Sequence, residues 1–159
     1  MNLSLTNVCK SFGRGSSAKL VLDNINFQVN SGEFVALVGS SGSGKSTVMR
    51  LIAGLDTPSS GSILMDGVPV KGPGPDRGMV FQRYSLYPWM TSADNVGFGM
   101  RLKGMAKPEV QERTNYFLNV VGLAYAADKL PKELSGGMQQ RVAIGRVPWR
   151  GVNPEARLP

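Results

Sequence analysis

Gly39-Ser40-Ser41-Gly42-Ser43-Gly44-Lys45-Ser46-Thr47 decides the reading of this 159-residue chain. Immediately before it stands Glu33-Phe34-Val35-Ala36-Leu37-Val38, an apolar run with the pattern of a strand covered on both faces. Immediately after it, Val48, Leu51, Ile52 and Leu55 recur at i, i+3, i+4 and i+7, one buried stripe of a helix. A glycine-rich loop joining a buried strand to an amphipathic helix is the setting in which backbone N–H groups cradle a polyphosphate. Gly39, Gly42 and Gly44 supply the backbone freedom for close approach. The helix that follows turns its positive end toward the bound anion. Lys45 would contact the β- and γ-phosphates, and the Ser46 hydroxyl would ligate Mg²⁺.

Composition bounds the alternatives. The chain is 42% apolar and 18% charged, as expected of a globular domain. No apolar run approaches the roughly 20 residues that span a bilayer. The start, Met1-Asn2-Leu3-Ser4-Leu5-Thr6, has neither the basic flank nor the apolar stretch of a signal peptide, so a cytoplasmic location is expected. Cys9 is the single cysteine and reads as a small core residue on a strand. With no histidine in the sequence, Ser-His-Asp triads and imidazole bases are excluded. The net charge of +7 is spread without a basic run, and no nucleic-acid partner is expected.

The rest of the chain alternates strand and helix signals. Leu3, Leu5 and Val8 mark a first strand, and residues 21–29 a second, alternating from Asp23 onward. Residues 62–67 make a short strand ending in a turn, and residues 69–78 carry prolines and glycines of a surface loop. Gly78-Met79-Val80-Phe81-Gln82 reads as another buried strand. Helices are predicted over 93–103 and 108–121. In the second, Pro108 suits the helix start, Val110, Phe117, Leu118 and Val121 share a face, and Gly122 stops the helix. Ser135 would cap a last helix running through Arg141.

The second motif is Leu134-Ser135-Gly136-Gly137-Met138-Gln139-Gln140-Arg141. A capping hydroxyl, two residues without bulk and a helix dipole can hold an anion, and a plain helix cap explains the same pattern equally well. Two phosphate sites far apart in sequence suggest one nucleotide gripped from two sides. If both cannot reach it within one chain, a two-fold dimer is the natural solution.

GSSGSGKST and LSGGMQQRVAI together resemble the ATP-binding subunit of an ABC transporter. PGPDRGMVFQRYSLYPWMTSADNV resembles more narrowly the nitrate/sulfonate/taurine importer branch. The likeness covers residues 2–146. It implies an α/β fold of the P-loop NTPase type, with an antiparallel β subdomain, an inserted helical subdomain and a core sheet incomplete at the C-terminus. Residues 1–82 would form the nucleotide-binding core and β subdomain, 83–134 the helical subdomain, 135–146 the signature helix and 147–159 a divergent tail.

The resemblance implies ATP and Mg²⁺ as cofactors and assigns further roles. Residues 39–47 would bind the phosphates, with Lys45 catalytic. Phe12 would stack on adenine, although a plain core phenylalanine fits that position too. Gln82 would approach Mg²⁺ and the attacking water, as a metal-site and catalytic residue. Ser135, Gly136, Gly137 and Gln139 would meet the γ-phosphate of ATP held by the other protomer of a homodimer. Tyr84, Leu86, Tyr87, Trp89 and Met90 form an aromatic-rich loop. Ordinary packing accounts for it, or it is a patch for a partner, which the resemblance identifies as a membrane permease. The subunit would then sit on the inner face of the cell membrane.

The family's next strand would carry an Asp-Glu pair, followed later by a switch histidine. Here residues 147–159 show neither, and Pro148 would end the signature helix early. Marginal folding, aggregation and loss of hydrolysis are therefore expected. The alternative to an ATPase is a non-hydrolysing nucleotide-binding fragment. A small kinase is disfavoured by the second motif.

Overall fold

The computed structural model describes residues 1–13, 15–74, 76–81 and 85–147. They fall into two units, Met1–Arg77 and the unit that begins at Gly78. In the first, β1 (Leu3–Phe12) and β2 (Lys19–Val29) run antiparallel, joined through a 3₁₀ turn at Gly15–Ser17. Helix α1 (Lys45–Ile52) follows the glycine loop, and β3 (Ser60–Met65) and β4 (Val68–Pro69) complete the unit. The four strands form one antiparallel sheet in the order β2-β1-β3-β4.

Leu5, Val8, Leu22, Ile63, Val48 and Leu51 build one buried cluster between this sheet and α1. The alternation of β1 aims Leu5 and Val8 inward despite a register slip between them. Asn7 takes up that slip at φ 49°, a left-handed conformation that Asn tolerates better than most residues. Leu51 is wholly buried, so its truncation to Ala would cost about 2–5 kcal/mol. Cys9 is half-buried, and its Sγ accepts from the Asn24 amide at 3.3 Å.

The second unit is helical: α2 (Ser92–Leu102), α3 (Lys107–Val120) and α4 (Gly136–Gly145), with 3₁₀ turns at Ala124–Ala126 and Pro131–Glu133. Val96, Leu118, Leu123, Ala126, Leu134 and Val142 form its core. Thr91 caps α2, its Oγ1 accepting from the Asp94 amide at 3.1 Å. Pro108 sits in the first turn of α3, and Gly122 ends that helix region at φ 67°. Val110 and Leu118 are buried on the face that the spacing indicates.

Three expectations are corrected. Residues 33–38 are not a strand, and every one of them is exposed, Phe34 at 95% and Val38 at 93%. Residues 78–81 are likewise outside any strand, with Phe81 exposed. An apolar run becomes a buried strand only when neighbours hydrogen-bond to its edges and helices cover its faces. Among the described residues no strand pairs with either segment. Leu55 leaves the α1 stripe because the helix ends at Ile52 and Gly54 turns the chain at φ 72°. Pro148 and the tail lie outside the described residues.

Candidate functional site

The glycine loop is organised by its own lysine. Lys45 Nζ donates to the carbonyl of Gly39 at 2.7 Å, to that of Ser40 at 2.6 Å and to Ser43 Oγ at 3.1 Å. The ammonium thus lies within the turn it terminates, tying both ends of the loop to the first residue of α1. A further bond from the Ser43 amide to the Ser40 carbonyl tightens the turn.

Gly44 shows why glycine is required. It is the N-cap of α1 at φ 87°, and a Cβ there would lie 2.6 Å from Leu22 Cδ2. Both the left-handed backbone and the buried neighbour on β2 forbid a side chain. The cap has no side-chain hydrogen bond, the form of helix start whose first-turn N–H groups can turn to an anion. A helix start of this kind, with a cation beside it, is suited to a phosphate. Gly42 adopts φ 80° with open space where its Cβ would stand. Ser46 is exposed in the first turn, where its hydroxyl can reach a metal ion; Ser40 and Ser41 are exposed as well, and Thr47 is half-buried. These residues fit a Mg²⁺-bound triphosphate: a cation, uncapped amides and a hydroxyl converge on one small turn.

Phe12 closes β1 and the residue is 44% exposed. Its close ionic neighbour is Lys10, whose Nζ lies 5.0 Å from the ring centroid. Gln82 and Tyr84 lie outside the described residues. No helix among the described residues is long and apolar enough to cross a membrane. Those residues also hold no cluster of three or more His, Cys, Asp or Glu side chains placed to grip a metal.

The second motif lies in the helical unit. Ser135 is the N-cap of α4 and its Oγ accepts from the Met138 amide at 3.3 Å. Gly137 is exposed, and a Cβ on it would meet nothing within 4 Å. Packing among the described residues therefore does not demand glycine at that position. Gln139 faces the other way: its Nε2 donates to the carbonyls of Pro131 at 2.9 Å and Leu134 at 3.1 Å. The side chain braces the turn that enters the motif.

One residue that the sequence reading passed over organises the aromatic loop. Asn95 is fully buried one turn into α2. Its Oδ1 accepts from the Tyr87 amide at 2.8 Å. Its Nδ2 donates to the carbonyls of Tyr87 at 3.2 Å, Met90 at 3.0 Å and Thr91 at 3.0 Å. Tyr87 then stacks against Phe98 at 4.7 Å and Trp89 at 5.6 Å, while Trp89 stays 71% exposed. The available signal was an Asn just inside a helix that follows an aromatic, proline-containing loop.

Known proteins bear on this arrangement. The ABC transporter family profile matches residues 22–153. The chain is 54% identical over 146 residues to the nitrate import ATP-binding protein of Synechocystis sp., covering 92% of this chain and 55% of that one. It is 48% identical over 134 residues to the taurine import ATP-binding protein of Sinorhizobium fredii, with 84% and 50% covered. The chain thus spans about half the length of the curated relatives it matches. Among solved structures, a dimeric bacterial ABC transporter cassette superposes with a TM-score of 0.83 at 35% identity, over 91% of this chain and 68% of that one. A dimeric ATP-binding cassette bound to ADP and Pi superposes with a TM-score of 0.82. The fold is accordingly the α/β fold of ABC ATPase cassettes. With the lysine-tied loop and the serine-capped glycine pair both inside the matched span, the chain belongs to the ABC transporter family.

Proposed function

We propose that this chain is the nucleotide-binding part of an ABC importer's ATP-binding subunit and binds ATP with Mg²⁺ through residues 39–47. The observation that carries this reading is Lys45, held by the Gly39 and Ser40 carbonyls at the mouth of an uncapped helix start. On binding, Lys45 moves its donors from the loop carbonyls to β- and γ-phosphate oxygens, and the α1 amides take the remaining anionic charge. Ser46 is the side chain that would hold Mg²⁺, and the ion would supply positive charge against the bound phosphates. Phe12 offers a ring face to the base, and Gln82 is assigned to the metal and the attacking water.

Ser135, Gly136 and Gly137 present a capped helix start, and the open space at Gly137 supports a role in contacting phosphate held by a second copy. Gln139 supports that turn from behind. The exposed Trp89 and its stacked neighbours suit an apolar segment of a membrane permease. Such docking would hold the subunit at the inner face of the cell membrane, with residues 83–134 as its helical subdomain. The relatives named for nitrate and taurine import support a small polar solute as the cargo.

Binding of a fluorescent ATP analogue with Mg²⁺ tests the reading. Saturable binding that Lys45→Ala abolishes supports it; binding unchanged in that variant overturns it. Phosphate release measured in the same samples separates hydrolysis from binding alone.

A further inference from the structure

Helix α4 joins two places of interest. Its first turn is the Ser135 motif, and its last residues meet the aromatic loop. At the C-cap of α4, the Arg146 guanidinium lies 4.4 Å above the centroid of the Tyr87 ring. The same guanidinium donates from Nη1 to the Ser85 carbonyl. One side chain thus grips the loop twice, once by its backbone and once by the ring on which Trp89 and Phe98 stack. Asn95 holds the loop from the α2 side, so Arg146 is the hold that comes from α4. A Cβ on Gly145 would stand 3.4 Å from Val96 Cγ2, at ordinary contact distance, which places the end of α4 beside α2.

We propose that Arg146 is a positioning residue that fixes the exposed Trp89 loop to the far end of the helix whose start carries the Ser135 motif. A displacement of α4 at its N-terminus is delivered to Trp89 through this guanidinium. The coupling to nucleotide rests on the proposed function, whereas the static hold does not. The chemistry calls for arginine specifically: a planar cation can stack on the ring and direct an N–H at a carbonyl together.

The chain has two tryptophans, so Trp149→Phe leaves Trp89 as the sole emitter. In that full-length background, acrylamide quenching and time-resolved anisotropy of Trp89 are compared for Arg146, Arg146→Ala and Arg146→Lys. A contact of this class shifts an open–closed population by about two- to fivefold, so Arg146→Ala should raise the fast local motion of Trp89 by a factor of that order, with a smaller rise in quenching because the residue is already 71% exposed. Arg146→Lys should recover part of the effect. Tyr87→Leu should reproduce it, and the Tyr87→Leu/Arg146→Ala double variant should be no worse than either single one. Unchanged Trp89 motion in Arg146→Ala with intact far-ultraviolet dichroism overturns the inference. So does additivity in the double variant. Should the alanine variant not fold, the lysine and Tyr87→Leu variants decide by the same readout.

A second arm adds the ATP analogue with Mg²⁺. Analogue binding with a Trp89 response that is equal in the parent and in Arg146→Ala would overturn the coupling and leave the proposed function standing. No analogue binding would overturn the proposed function, and the static comparison still judges Arg146.

Discussion

Asn95 and Tyr87 exchange hydrogen bonds in both directions: the Tyr87 amide donates to Asn95 Oδ1 at 2.8 Å, and Asn95 Nδ2 donates to the Tyr87 carbonyl at 3.2 Å. A side-chain amide is here imitating a neighbouring strand for one residue of loop. The same Nδ2 serves two further carbonyls, so a single buried group orders the loop from Tyr87 to Thr91. Asn95→Ala should destabilise the chain by about 2–4 kcal/mol, since partly buried backbone groups lose their partner. Asn95→Asp should be at least as harmful, because a carboxylate accepts from Tyr87 but faces three carbonyls with no donor. Urea unfolding followed by dichroism measures both.

Gly44 makes a sharper claim about the loop. Gly44→Ala places a methyl 2.6 Å from Leu22 Cδ2 and holds alanine at φ 87°. A loss of about 1–3 kcal/mol is expected from the backbone strain alone. Leu22→Ala in the same chain should remove the collision but add the cost of a buried cavity and leave the strain, so binding of the ATP analogue should stay impaired in the double variant. Thermal melts and analogue titrations read the two effects separately.

In the second motif, stability and function can be pulled apart. Ser135→Ala removes the Oγ that caps the Met138 amide and should cost about 1 kcal/mol. Gly137→Ala meets no neighbour and gains helix propensity, so stability should hold or rise by about 0.5–1 kcal/mol. If the glycine is kept clear for an incoming phosphate, Gly137→Ala should nevertheless weaken ATP-dependent association of two copies. Sedimentation velocity with and without nucleotide measures this.

The exposed run at residues 33–38 predicts behaviour in solution. Phe34 and Val38, at 95% and 93% exposure, sit on an apolar segment that has no strand beside it among the described residues. Such a segment is a template for pairing with another chain. Phe34→Glu and Val38→Lys should reduce light scattering at micromolar concentration while leaving the melt of the chain nearly unchanged.

What could be read from the sequence was whatever is decided locally. Ser135 announces its own cap, Pro108 and Gly122 bracket α3, and the spacing of Val48 and Leu51 finds the buried side of α1. Residues 39–47 were legible because a positive φ and a close approach leave glycine little substitute. Residues 33–38 failed for the opposite reason: a buried strand is a property of its neighbours, and composition registers only the capacity to be one. Asn95 was missed because its partners are backbone atoms of a loop, which leave no trace in side-chain pattern. Arg146 was read as part of a signature helix, and its hold on Tyr87 follows from where that helix ends.

The three bonds of Lys45 have one more implication, for discrimination among anions. With its donors already occupied by Gly39, Ser40 and Ser43, the ammonium has no N–H to spare, and an incoming anion must replace charge-assisted bonds within the loop rather than fill an empty site. A triphosphate brings enough negative oxygens to replace all three at once, so the exchange favours it. On the proposed reading the loop's own carbonyls would act as a threshold that an anion with more oxygens crosses more readily, and competition of sulfate against a triphosphate would measure it.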